Sequence, residues 1–193
     1  MARTGSVLTV GKLEAAHRQL RTAISLWFND GDPVSIHTLA FAAHEIFDAV
    51  SKKRDPYRRD MLFDSALIKD EYRREFVSGL KKHANFFKHA DHDSDAEIEF
   101  NPLLTEGFIL FAILGRSLCG SPRSDEESTF SWWLQIHKPN ILTENGRKMV
   151  AAAIPIDNLE YVRALSKRDF FGAFHGARQL INSGRLSPAC RFD

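Results

Sequence analysis

The sequence predicts an all-α protein: an up-and-down helical bundle of four main helices with additional C-terminal helices. Two observations carry this. Apolar residues recur at helical spacing through most of the chain, and period-two alternation is confined to 96–100. The breaks between apolar stretches hold helix-stop and helix-start chemistry, with Asn29-Asp30-Gly31, Asp32-Pro33, Asn101-Pro102 and Gly120-Ser121-Pro122 as the clearest cases.

Each element follows in order. In 11–28, Leu13, Ala16, Leu20, Ala23, Ile24, Trp27 and Phe28 share a face. Asp32 as N-cap and Pro33 in the first turn start a second helix over 34–50, with Ile36, Leu39, Ala40, Ala43, Phe47 and Val50 on one side. The short turn between the two predicts an antiparallel hairpin. A basic connector at 52–59 contains Pro56, and a shorter helix covers 60–69. A third long helix spans 71–90, with Tyr72, Phe76, Leu80, Phe87 and Ala90 aligned. The acidic stretch 91–100 reads as a loop. Asn101-Pro102 then opens the most apolar helix, which ends near Cys119. Beyond the break at 120–122, Ser124 and the acids after it begin a helix that Pro139 stops. Helices follow over 143–153, ended by Pro155, and from Ser166 onward, where a capping-box pattern precedes Phe170 and Phe171. The domain reading is a bundle over 1–120 and a helical extension over 121–193 that packs on it.

Composition bounds the class. The chain has 193 residues, is 44% hydrophobic and carries 26 Lys and Arg against 25 Asp and Glu. That excludes intrinsic disorder, which pairs low hydrophobicity with high net charge. Two cysteines, Cys119 and Cys190, are too few for a disulfide scaffold and fit a reducing compartment. The most apolar run, 108–114, is far shorter than the roughly 20 residues of a membrane span. The N-terminus lacks a signal-peptide apolar stretch, so the expected location is the cytoplasm with no membrane partner. Neither a P-loop nor a Gly-rich dinucleotide fingerprint is present, and no cofactor is expected.

The near-neutral total conceals a charge division. From Lys52 to Lys88 there are eleven Lys and Arg against six Asp and Glu, an excess of five, and an acidic stretch follows from Asp91. Such a basic field suits a polyanionic partner, RNA above all. On the 71–90 helix, Lys82, Asn85 and His89 fall at i, i+3 and i+7 and form one stripe. A cation, an amide and an imidazole in that arrangement suit phosphate neutralisation, substrate orientation and general acid-base transfer. Lys81, Lys88, Arg73 and Arg74 supply further cations for substrate binding. The competing reading of the stripe is a solvated helix flank with a histidine favoured by the helix C-terminus.

The hairpin LEAAHRQLRTAISLWFNDGDPVSIHTLAFAAHEIF followed by LKKHANFFKHAD resembles the HEPN superfamily of small helical-bundle proteins, over about 13–118. That superfamily includes metal-independent ribonucleases as well as non-catalytic nucleic-acid and nucleotide binders. The resemblance implies a homodimer acting on or binding RNA, with His89 as general acid or base, Lys82 on phosphate and Asn85 orienting the substrate. Lys82 stands where catalytic members carry Arg, and lysine lacks the guanidinium fork.

Two other readings stay open. One is a metal-binding bundle, a hydrolase in its catalytic form, using His17, His37, His44 and His83, of which His17 and His83 project from apolar faces. The other is a non-enzymatic interaction module.

Overall fold

The structure is a computed structural model that describes residues 7–55, 81–89, 94–142, 144–154 and 156–185. Among these residues all regular secondary structure is helical. The helices are α1 (Lys12–Phe28), α2 (Pro33–Arg54), α3 (Leu104–Leu118), α4 (Asp125–His137), α5 (Glu144–Ala153), α6 (Ile156–Ala164) and α7 (Lys167–Asn182), with a 3-10 turn at Pro139–Ile141. Residues 81–86 are also helical. The predicted helix at 60–69 and most of the one at 71–90 lie outside the described residues.

α1 and α2 form an antiparallel hairpin, with Trp27 and Phe28 near the turn and His17 farther along against Phe47, ring centroids 5.3 Å apart. The turn is built locally. Asp30 adopts φ 49°, and Gly31 passes so close to Leu26 that a Cβ there meets the Leu26 oxygen at 3.1 Å. Asp32 then accepts a hydrogen bond from the Ser35 N–H at 2.7 Å, with Pro33 in the first turn.

α2 runs one turn beyond its predicted end at Val50. Ser51 is buried, Lys52 pairs with Asp48 at 2.7 Å, and Lys52, Lys53 and Arg54 place positive charge at the helix C-terminus. α3 begins later than Asn101-Pro102 implies. Asn101 instead closes a turn, its side chain accepting from the Leu103 N–H at 3.0 Å, before regular helix starts at Leu104. α3 runs parallel to α2: Thr105 meets His37, Phe108 meets Phe41, and Cys119 lies against the Phe47 carbonyl.

Ser124 and Glu127 make a reciprocal capping box at the start of α4. Ser166 caps α7 by accepting from the Asp169 N–H, and the Asp169 carboxylate takes the Ser166 hydroxyl rather than the backbone. α6 was not anticipated. The proline at 155 reads in sequence as a stop, yet proline is equally suited to the residues just before or in the first turn of a new helix.

One hydrophobic core draws on both sides of residue 120. Leu20, Ile24, Phe28, Phe41, Phe47, Phe108, Ile109 and Ile113 are fully buried together with Phe130, Ile136 and Phe170. The Phe108–Leu114 run is thus core, and no helix among the described residues is long and apolar enough to cross a membrane.

Candidate functional site

The end of the helical segment 81–86 carries the Lys82, Asn85 and His89 stripe. The His89 N–H donates to the Asn85 carbonyl at 3.1 Å, a helical i to i−4 bond that carries the turn through His89. Lys81, Lys82, Asn85 and His89 are all exposed, whereas Ala84, on the opposite side, is fully buried. The three side chains are therefore accessible together at the end of this segment. Lys88 is committed elsewhere: its Nζ lies 3.4 Å from Glu45 Oε2 and 4.6 Å from the centre of the Phe41 ring. This anchors the segment to α2. Arg73 and Arg74 lie outside the described residues.

The acidic segment folds back onto this region through backbone and aromatic contacts. His83 Nε2 is hydrogen-bonded to the Glu99 carbonyl at 2.9 Å, and Phe100 packs on His37, His83 and Phe87. Glu97 and Glu99 keep their side chains in solvent.

The four histidines of the metal reading do not converge on one point, although His37 and His83 share Phe100 and His37 and His44 share Phe108. His37 is fully buried between α2 and α3, hydrogen-bonded through Nδ1 to Thr105 Oγ1 at 3.0 Å and ringed by Phe87, Phe100 and Phe108. Burial, with the nearby His83 and Lys88, holds its pKa at about 4. His44 is buried against Phe108 and Phe111, and His83 is half-buried beside Phe100. His17, on α1, lies against Phe47 of α2. His37 and His83 are the nearest pair, with ring centres 6.3 Å apart. Among the described residues no group of three or more His, Cys, Asp or Glu is placed to share a metal ion. Cys119 is buried with Sγ 3.6 Å from the Phe47 oxygen.

A second polar concentration was missed in the sequence. α1 presents Glu14, His17, Arg18, Arg21 and Thr22, which share a face at helical spacing, and Arg116 and Ser124 complete a cleft of about 510 Å³. Arg18 Nε donates to Glu14 Oε1 at 2.6 Å, and that bond and charge hold the Glu14 carboxyl below its usual range. Arg116 donates through Nη1 to Glu127, whose side chain is wholly enclosed. Burial pushes the Glu127 carboxyl up, against the pull of Arg116. Burial first, and the Arg116 charge second, lower the His17 pKa and keep its imidazole neutral near pH 7. The i, i+3, i+4, i+7 spacing on α1 was legible; the arrival of Arg116 and Ser124 from other helices was not.

Comparison with known protein families, with curated proteins and with solved structures gave no match.

Proposed function

We propose that the protein is a cytoplasmic, metal-independent RNA-binding protein of HEPN type. RNA contacts the face that carries Lys82, Asn85 and His89. The observation that carries this reading is the joint exposure of those three side chains at the end of one short helical segment, beside the exposed Lys81. Lys82 and Lys81 neutralise phosphate, Asn85 offers both a donor and an acceptor to sugar or base, and the exposed imidazole of His89 is accessible to a proton on the RNA. General acid-base transfer by His89 is the catalytic extension of the same reading.

The architecture that goes with it is an up-and-down bundle. The parallel course of α2 and α3 supports this, because two parallel helices in such a bundle are separated in the chain by one antiparallel helix. The reading also includes a homodimer, since one stripe of three side chains touches few phosphates and a second copy doubles the contacts.

The test is equilibrium binding of a fluorescent single-stranded RNA in EDTA across a salt series. Each phosphate contact contributes about 0.7 to the slope of log affinity against log salt for a single strand. Lys82→Ala is expected to lower the slope by about that amount and to weaken binding for all sequences alike. Under the catalytic extension, His89→Ala stops any shortening of the RNA in EDTA, and light scattering reads twice the 21.9 kDa chain mass. Unaltered affinity and slope in both variants rule the face out.

A further inference from the structure

The cleft between α1, the last turn of α3 and the start of α4 has features that helix packing does not require. Arg116 is largely enclosed, its side chain 15% exposed, yet Glu127 is its one hydrogen-bond partner among the described residues. A guanidinium has five N–H donors, and Arg116 Nε is buried with no partner. His17 Nε2 on the same cleft is likewise buried without one. Buried polar groups are ordinarily satisfied, so two unsatisfied atoms on side chains that line one cleft single that cleft out.

The sign of the charge says which ligand. Arg18, Arg21 and Arg116 outnumber Glu14 and Glu127 even when both carboxyls are ionised. Glu14 is taken by Arg18, and Glu127 by Arg116 and the Ser124 N–H, which leaves Arg21 as the surplus cation. The start of α4 adds the positive end of a helix dipole at Ser124. Of the other acids in that turn, Asp125 is engaged by Arg178 and Asn182 of α7, and Glu126 does not line the cleft.

Shape and lining narrow the class. About 510 Å³ falls within the roughly 300–1,000 Å³ of small-molecule sites and exceeds what a bare anion fills. Among the described lining residues there is no Phe, Tyr or Trp and the one ring is the His17 imidazole, so polar contacts outweigh base stacking there. Thr22 and Ser124 instead bring hydroxyls suited to a polyhydroxylated carbon chain.

We propose that this cleft binds a sugar phosphate, the phosphate between Arg116 and Arg21 and the sugar hydroxyls toward Thr22 and Ser124. A ribose 5′-phosphate unit fits that description, either in a free nucleotide or at the 5′ end of an RNA. The site stands apart from the RNA-binding face, since Lys82, Asn85 and His89 do not line it.

Calorimetric titration of the full chain with ribose 5-phosphate, AMP and adenosine tests it. The two phosphates are expected to bind and adenosine to bind at least about tenfold more weakly, the least that losing hydrogen bonds to charged groups implies. Arg21→Ala, an exposed change outside the core, weakens both phosphates by at least about tenfold and keeps the melting temperature within about 2 °C. Arg116→Lys retains the charge beside Glu127 but loses the fork, and it also weakens binding. Lys82→Ala leaves it unchanged. Paired RNAs with a 5′-phosphate or a 5′-hydroxyl separate the sources. A preference for the phosphorylated strand assigns the site to an RNA end, and equal affinity with AMP bound assigns it to a free nucleotide. Equal binding of adenosine and AMP, full affinity in Arg21→Ala, or no heat with any phosphate at about 1 mM overturns the proposal.

Discussion

His37 makes the stability of this protein depend on pH in a way that can be worked out in advance. Its ring is wholly buried among Phe87, Phe100 and Phe108, and Nε2 has no partner among the described residues. Its folded-state pKa is about 4, against an ordinary value of 6.5. The unfolded chain therefore takes up a proton on His37 below pH 6.5 while the folded chain refuses it until about pH 4. Linkage turns that difference into stability that is fully present above pH 6.5 and is lost as pH falls toward 4. Between pH 7 and pH 5 the loss is about 2 kcal/mol, and at pH 4 and below it approaches about 3 kcal/mol. His17, also depressed by burial, loses stability in the same direction.

The perturbation is His37→Phe, which suits the aromatic surroundings but gives up the Thr105 hydrogen bond. It costs about 1–3 kcal/mol at pH 7. The informative quantity is the difference in urea-unfolding free energy between pH 7 and pH 5 for each protein, because the other titrating groups are common to both. The variant should lose about 2 kcal/mol less than the parent over that interval. Parallel decline of the two proteins would falsify the assignment of His37 as a buried neutral group.

Two further stability predictions rest on single interactions. Arg116→Ala strips the wholly enclosed Glu127 of its cation and should cost about 3–5 kcal/mol, read by urea unfolding at pH 7, and Arg116→Ala with Glu127→Leu should recover much of that loss; a cost under 1 kcal/mol would show the pair to be idle. Asp32→Ala removes the acceptor for the Ser35 N–H at the start of α2 and should cost about 1 kcal/mol, whereas Asp32→Asn should leave stability within a few tenths of that of the parent.

Helix starts with local chemistry were legible in the sequence. Asp32-Pro33 and Ser124 with its following acids act through bonds a few residues long, and they cap the helices as read. Features that depend on neighbours were not legible. Asn101-Pro102 looks like another helix start, but Asn101 spends its side chain on closing a turn. His37 falls on a flank of α2 by periodicity and becomes fully buried because Thr105 and Phe108 of α3, with Phe87 and Phe100, close over it. The two site candidates differ in the same way. Lys82 and Asn85 lie on one helical segment and His89 just past its end, so their placement follows from local geometry. The arginine cleft takes its residues from three helices, and its electrostatics depend on Glu127, which in sequence is merely the acid of a capping box.

The central claim is that RNA is held at the Lys82–Asn85–His89 face. The most direct measurement follows the imidazole resonances of the histidines by NMR while short single-stranded RNA is titrated into the full chain in EDTA. The His89 resonances are expected to shift in a saturable manner while those of the buried His37 stay in place, and Lys82→Ala weakens the response. Saturable shifts that bypass His89, or no shifts at RNA concentrations that saturate binding by other readouts, contradict it.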